Sequence, residues 1–471
     1  MTMIEPGWYS LLPPVIAILL AITTRQVLLS LCGGIWLGYC VLYQTNPLNG
    51  LAHTIEGVIN VFQDTGNTKV IVFTLVVGGL ITTMEKTGGV KGLSNWLEQR
   101  RWVNSGKRAQ LLAWLIGIFI FVESNLTLLV AGAVSRPLFD RFRVSREKLA
   151  YLIDSTSAPI CILIPFNAWG AFNIGLIAST GETNPFTLFV EAIPLNLYAI
   201  FAVLLAGISI SWRRDIGPMH AAEQRTLDGE TLWPDALPML VPALMSEYDD
   251  SVVPRARHMV LPIITMVAAL PAGLLITGQG DITAGSGSTS VLWAVLTGLS
   301  IAWFLALVER RHTIHQLVDF LLKGAGGMVP VAAVLLLSMA LGHIANDLQA
   351  GQYLSVAVQG TLPISVLLPL IFLISAAIAF AVGSSWGTFA IMIPIALPLA
   401  VAGGLPPAPF LAAVLSGAIF GDHASPISDS TIVASMAAAT DHIDHVRTQL
   451  PYALISGGIA LVGFCIMGWL M

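Results

Sequence analysis

Long apolar runs separated by short polar stretches dominate the chain. They fall at about 8–24, 26–43, 68–84, 109–135, 148–178 and 187–212. After a polar interval they resume at about 257–277, 290–308, 325–347, 363–402, 408–440 and 450–471. About 20 apolar residues in a helix cross a bilayer core of roughly 30 Å, so most of these runs are long enough to span one. They are continuous, unlike the roughly ten-residue alternating stretches of a membrane β-barrel. The pattern predicts an all-α polytopic membrane protein with six apolar segments in each half.

Basic residues refine this layout. Arg100, Arg101, Lys107 and Arg108 precede the run at 109–135, and Arg136, Arg141, Arg143, Arg146 and Lys148 follow it. A simple crossing would leave one cluster outside, against the preference of Lys and Arg for the cytoplasmic side. A re-entrant hairpin over 109–135, turning at Glu123-Ser124-Asn125, keeps both clusters inside. Its counterpart at 363–402 turns at Gly383-Ser384-Ser385. Five spans per half remain, both termini lie outside, and of the 22 Lys and Arg only Lys69 falls on the outer face.

The halves also resemble each other. His-Thr-Ile-Glu at 53–56 matches His-Thr-Ile-His at 312–315, each after the second span of its half. Ser124-Asn125-Leu126-Thr127 matches Ser385-Trp386-Gly387-Thr388, and Ser-Ala-Pro-Ile at 157–160 matches Ala-Ser-Pro-Ile at 424–427. Because five is odd, the second copy enters upside down. The expected organisation is a first inverted repeat at 1–212, a cytoplasmic linker at 213–256 and a second repeat at 257–471, with broken spans at about 148–178 and 408–440. Inverted repeats with interrupted helices are the architecture of secondary transporters, whose sites lie near the midplane.

Composition agrees. Of 471 residues, 55% are hydrophobic and 10% charged, against about 25% charged in soluble chains, and the mean hydropathy is +0.80. Cys32, Cys40, Cys161 and Cys465 sit in apolar runs and read as free thiols, and Met1 to Ser10 lacks the basic region of a cleavable signal. No Walker A motif, GxSxG, HExxH or zinc-spaced Cys/His set is present, so neither an ATP-driven pump nor an enzyme is expected. Ser425 beside His423 would be the one nucleophile and base, and such near neighbours on one backbone rarely aim at each other. No cofactor and no nucleic-acid partner are expected; the lipid bilayer is the solvent.

The chemistry concentrates in Gly421-Asp422-His423-Ala424-Ser425-Pro426-Ile427-Ser428-Asp429-Ser430-Thr431. Charged groups at membrane depth normally mark ion or proton pathways, and Pro426 lacks an N–H and so frees a carbonyl one turn back. Na+ takes oxygen ligands, as other hard cations do. Asp422 and Asp429 are the expected Na+ carboxylates, with Ser425, Ser428 and Thr431. Asp154, Ser155 and Thr156 form the counterpart break of the first half, and His423 is the proton-linked candidate. A carboxylate that holds Na+ or a proton, never both, would couple the two in antiport.

The hairpin tips supply a second constellation: Glu123, Ser124, Asn125 and Thr127, then Ser384, Ser385 and Thr388, with Asn167 nearby. Helix N-termini there present free N–H donors, which suit a carboxylate-bearing solute or, through carbonyls and hydroxyls, a cation. Glu85 and Asp347 read as interfacial, and His442 and His445 as an exposed cytoplasmic face.

GDHASPISDST at 421–431 resembles the GDHxSPISDT signature of the NhaC-type Na+/H+ antiporter family, within the ion transporter superfamily of elevator-type carriers. The resemblance implies Asp422, Ser425, Ser428, Asp429 and Thr431 in the ion site, Ser124, Asn125 and Thr127 as a Ser-Asn-Thr-type tip, and an elevator mechanism in a homodimer. Ala424 stands where that motif often has Cys, and Leu126 interrupts the tip. The expected function is Na+/H+ antiport across the bacterial cytoplasmic (inner) membrane. The alternative is Na+-coupled movement of a small carboxylate or amino acid.

Overall fold

The computed structural model describes residues 7–24, 26–89, 91–93, 96, 103–121, 124–165, 167–211, 215–238, 253–280, 285–350, 353, 363–426 and 428–471. Among these, every regular element is a helix, apart from one isolated bridge between Pro238 and Asp441. The first half contains α1 (Leu12–Thr24), α2 (Val27–Leu42), α3 (Pro47–Asn60), α4 (Thr65–Lys86), α5 (Gly106–Phe119) and α6 (Ser124–Arg141). It continues with α7 (Arg146–Asp154), α8 (Ala158–Leu163), α9 (Ala168–Ser179), α10 (Pro185–Ala192) and α11 (Leu197–Ser211). The linker holds α12 (Pro218–Leu227). In the second half stand α13 (Arg257–Thr277), α14 (Gly287–Val308), α15 (Ile314–Asp347), α16 (Ile364–Val382), α17 (Ser385–Ala402), α18 (Pro407–Ala424), α19 (Asp429–Ala438) and α20 (His442–Leu470).

Six of these helices are long and apolar enough to cross a membrane, and up to ten crossings result if each of four bent pairs is one span. This makes the chain a polytopic membrane protein. Both limbs of the second expected hairpin, Ser365–Val382 and Ser385–Ala402, are among the six, so each has the length to cross by itself. In the first, a Cβ on Gly106 at the start of α5 would lie 3.0 Å from Val144, just beyond the end of α6. The two limbs therefore fold back on one another.

Small residues set the closest helix crossings, as expected where no hydrophobic force separates helix from lipid. Gly417 and Gly421, four apart on α18, press on the carbonyls of Phe372 and Ala376 in α16. Gly78 in α4 and Gly324 in α15 meet backbone to backbone, and these helices are the third apolar segments of their halves.

One element was not expected. The interval between the second and third apolar runs contains α3, which turns 113° away from α2. Its Gly50 and Gly57 pack on Cys40 and Tyr39, while Leu48, Leu51, Ile55 and Ile59 are exposed along the other side. Such an apolar stripe on a helix lying across the bundle suits the membrane interface. In the second half the matching region is continuous with α15, which starts from a capping box at Thr313 and Gln316 and bends by 46° at Pro330.

Lys69, near the start of α4, donates to Thr289 near the start of α14 at 2.8 Å. Lys86, Arg257, Arg310 and Arg311 sit at the other ends of α4, α13 and α14. Within this group the charges sort to opposite ends as the sequence pattern requires.

Candidate functional site

α18 stops because Ser425 adopts extended backbone (φ −84°, ψ 129°) ahead of Pro426, and α19 restarts from Ser428, whose hydroxyl accepts from Thr431 N at 3.5 Å. Its Oγ also lies 3.1 Å from Ser430 Oγ. The first-half counterpart breaks between Asp154, the last residue of α7, and Ala158, the first of α8. There Ser157 Oγ donates to Asp154 O at 3.0 Å and Thr156 Oγ1 to Leu152 O at 2.7 Å. The first interruption is buried throughout; in the second, Ser425 and Ser428 are buried and Pro426 is exposed.

The tip of the second hairpin closes on the second break. Gly383 takes φ +70°, a left-handed conformation that suits glycine, and turns the chain into α17, which Ser384 caps by accepting from Gly387 N at 3.3 Å. This aims Ser385 at the break, where its hydroxyl donates to Asp422 Oδ2 at 2.9 Å. Ser425 Oγ reaches back to the Phe380 carbonyl at 2.8 Å, and Thr388 Oγ1 donates to Ser384 O at 3.0 Å. Asp422, Ser385, Ser425, Ser428 and Thr431 are all buried.

At the first tip, Thr127 Oγ1 donates to Ile120 O, and Ser124 and Thr127 are buried. Asn167 uses its whole amide as a bracket. Its Nδ2 donates to the carbonyls of Phe121 and Cys161, each at 2.8 Å, and its Oδ1 accepts from Gly170 N at 2.9 Å. Gly117 of α5 lies so close to Thr156 that a Cβ would reach within 1.9 Å of its hydroxyl. Each hairpin thus covers the break of its own half. Glu123 lies outside the described residues, as do the side chains of Asn125 and Asp429.

The two halves meet at Asp154. His423 Nε2 lies 3.5 Å from Asp154 Oδ1, and His445 Nε2 lies 3.5 Å from Oδ2. Gln449 Nε2 donates to Asp154 Oδ2 at 2.7 Å and to the His423 carbonyl at 2.9 Å. Tyr198 OH sits 3.0 Å from His423 Nδ1. All five side chains are buried. A carboxylate with two imidazoles and an amide around it is a place where charge and protons can be held away from water.

Sequence reasoning missed part of this. His445 is fully buried beside Asp154, so the exposed cytoplasmic face expected for it is corrected. His442 brackets the second break, with Nε2 2.6 Å from the Pro426 carbonyl and Nδ1 3.0 Å from Ser435 Oγ. Gln449 and Tyr198 were passed over. The available signal was a lone amide at the edge of the last apolar run and a phenol inside the sixth.

At the end away from the basic residues opens a cavity of about 610 Å³, lined among others by Asp64, Asn67, Glu182, Thr183, His343 and Asn346. A neighbouring cavity of about 510 Å³ shares Gly181, Glu182, Thr183 and Asn346. The first extends along α9, whose opposite end carries Asn167.

The described stretch 215–238 of the linker is docked on the bundle. Arg225 of α12 makes a bidentate, buried ion pair with Glu147 of α7, at 2.8 and 3.0 Å. Ser145 donates to Glu223 Oε1 from its N at 2.9 Å and its hydroxyl at 2.5 Å. Burial pushes the Glu223 carboxyl above its ordinary range despite those bonds. Asp215 pairs with Lys148 and accepts from Tyr452 OH at 2.6 Å.

Known proteins resemble this chain throughout its length. A protein of Haemophilus influenzae, itself uncharacterized, is 33% identical over 98% of this chain and 91% of its own. The arginine/ornithine antiporter ArcD of Halobacterium salinarum is 31% identical over 48% of this chain and 45% of its own. A malate-2H+/Na+-lactate antiporter of Bacillus subtilis is 31% identical over 36% and 37%. In three dimensions, the YdaH transporter of Alcanivorax borkumensis superposes with a TM-score of 0.60, covering 89% of this chain and 88% of that one at 15% identity, so the fold is one that transporters use. The family profile described as the Na+/H+ antiporter family matches residues 160–469. That interval contains most of the first broken helix, all of the second, the second hairpin and the GDHASPISDST stretch whose resemblance pointed the same way, and the chain belongs to the Na+/H+ antiporter family.

Proposed function

We propose that this secondary transporter is a Na+/H+ antiporter, moving Na+ outward as protons enter by alternating access of the elevator type. The observation that carries the reading is the bond from Ser385, at a hairpin tip, to Asp422, at a helix break. It sets a buried carboxylate beside buried hydroxyls, oxygen ligands of the kind a hard cation such as Na+ takes.

In this reading Asp422 and Asp429 hold Na+ with Ser425, Ser428 and Thr431, and the first-half break at Asp154, Ser155 and Thr156 completes the site. An uncompensated charge is costly to carry through a low-dielectric barrier. Asp422 is neutralised either by Na+ or by a proton, so the loaded element can cross in two forms and not in the empty one. That restriction couples the two fluxes. His423, in contact with Asp154 of the other half, shares in the proton exchange. Ser124, Asn125, Thr127, Ser384, Ser385, Thr388, Glu123 and Asn167 belong to the tips that gate and line the site. The inverted-repeat boundaries 1–212 and 257–471, a homodimer, external termini and the bacterial inner membrane complete the proposal.

A second reading has its own support. The external cavity is far larger than an ion needs, and the partial relatives named above exchange arginine with ornithine or malate with lactate. Na+-coupled exchange of a small carboxylate or amino acid is therefore the alternative cargo.

Proteoliposomes with an internal pH dye separate the two. A Na+ gradient applied alone should alkalinise or acidify the lumen according to its direction. Silence under Na+ alone, with flux restored by an amino acid or dicarboxylate, would overturn Na+/H+ antiport in favour of the alternative. In the Na+-only assay, Asp422→Asn and Asp429→Asn should each abolish the response while the protein stays folded in the membrane.

A further inference from the structure

At the basic end of the bundle one carboxylate is shared by three guanidinium groups. Glu309, just beyond α14, lies 3.3 Å from Arg255 Nη1 and 3.2 Å from Arg311 Nε, and pairs also with Arg257. His258 Nε2 sits 2.9 Å from the same carboxylate. Burial works against the ionised form, yet His258 and the guanidiniums hold the Glu309 carboxyl below its usual range, so its single negative charge is present at neutral pH. Three fixed positive charges against one leave an excess of positive charge in this group. Arg255 and Arg257 are 40% and 47% exposed, so forked N–H donors face outward, and Arg310 beside them is exposed as well.

The surface next to this cluster is apolar. Leu261 and Ile264 follow Arg257 by four and seven residues, so all three share one face of α13, and both apolar side chains are exposed. On α14, Phe304 and Val308 are exposed at 60% and 63%, one turn apart at the end of the helix; Arg311 follows beyond the turn at Glu309 and Arg310, its Nη1 donating to the Val253 carbonyl at 3.0 Å. α13 and α14 pack as an antiparallel pair, with Gly273 against Ser290 and Gly298 against Met266, so the exposed apolar residues at the start of α13 and the end of α14 lie at the same end of the pair as the guanidinium cluster. Both helices are among those that can cross the bilayer.

We propose that Arg255, Arg257 and Arg311 form a docking site for the phosphate of an anionic phospholipid in the inner leaflet, whose acyl chains lie along Leu261, Ile264, Phe304 and Val308. A guanidinium fork matches two phosphate oxygens, and basic clusters between helices on the cytoplasmic side are suited to anionic headgroups. A soluble phosphate would use the cations and leave those apolar residues uncovered. A phospholipid uses both. The site is independent of the cargo, because it lies on α13 and α14 and not on the broken helices.

The test uses the full-length protein in a mild detergent. Phosphatidylglycerol, phosphatidylcholine and inorganic phosphate are added separately while thermal unfolding is followed and lipid retention is read by native mass spectrometry. Phosphatidylglycerol should be retained and should raise the unfolding temperature, whereas phosphatidylcholine and inorganic phosphate should do neither. Arg257→Gln leaves Glu309 with two guanidiniums and His258, so it should fold, and its retention of phosphatidylglycerol should fall by about tenfold. Phe304→Ala, which keeps every charge, should weaken retention to a lesser degree. Equal retention of the two lipids, an equal effect from inorganic phosphate, or an Arg257→Gln variant that holds phosphatidylglycerol as tightly as the parent would each overturn the proposal.

Discussion

Gln449 Nε2 donates to Asp154 Oδ2 at 2.7 Å and to the His423 carbonyl at 2.9 Å. One amide on α20 thereby ties together the two interrupted helices, one from each half of the chain. The arrangement uses both amide hydrogens and leaves Asp154 with a neutral donor that does not compete with His423 for charge.

Replacing Gln449 by Leu keeps the volume and removes both bonds. A buried acceptor left without its donor costs roughly 1–3 kcal/mol, so the variant should unfold earlier in detergent, and Na+-driven flux should fall with it. Unchanged stability together with unchanged flux would show that the amide does not couple the breaks.

The docked linker is open to the same reasoning. Removing one member of a buried pair strands the other, at roughly 3–5 kcal/mol. Arg225→Met and Glu147→Leu should therefore each destabilise strongly, and the double variant that combines them should recover much of the loss. A double-variant cycle on unfolding temperatures measures this, and additive losses would mean that the pair does not hold α12 against α7.

Much of this fold was legible because the bilayer imposes a strict rule on the chain. Apolar length marked the spans. The stretch 421–431 announced a broken helix, because a run of polar groups at membrane depth must be satisfied by protein or by a water-filled cavity. α3 was missed for the opposite reason. α3 mixes polar and apolar residues and reads as a loop in a search for continuous runs. His445 was misplaced because its neighbours Asp441, His442 and Asp444 are polar and suggested a solvated end. Only the packing of α20 against α7 shows that one side of that helix turns inward. The linker read as a connector since charge on a soluble segment is the norm, and nothing in its composition signals that Arg225 finds Glu147.

Glu223 gives a pH signature outside the spans. Its carboxyl is raised in the folded protein, chiefly by burial. It therefore contributes stability that is fully present below its unfolded pKa and is lost as pH rises through the folded one. Glu223→Gln keeps an oxygen to accept from Ser145 and cannot ionise. Relative to this variant, the parent should lose stability as pH climbs from about 4 towards neutrality, as followed by thermal unfolding across that range. A difference that stays flat with pH would remove Glu223 as the source.

The final distinction concerns what the second hairpin tip does for Asp422. Ser385→Ala deletes the hydroxyl that donates to Asp422 Oδ2 and changes little else, since Ser384 still caps α17 through Gly387 N. A hydrogen bond to a charged group contributes roughly 1.5–3 kcal/mol, so if Ser385 orients the carboxylate for Na+, the apparent affinity for Na+ should drop by at least about tenfold while the fold survives. Ser384→Ala is the matched control. It removes the cap and not the bond to Asp422, so it should cost stability and lower Na+ affinity less than Ser385→Ala does. Ser124→Ala, at the first tip, bears on symmetry: a comparable loss there would give the two tips equal roles, and a small loss would concentrate cation binding in the second half. Flux measured against a series of Na+ concentrations resolves all three variants. A Ser385→Ala protein with the parent's affinity would separate the tip from the cation site and withdraw the observation on which the antiport reading rests.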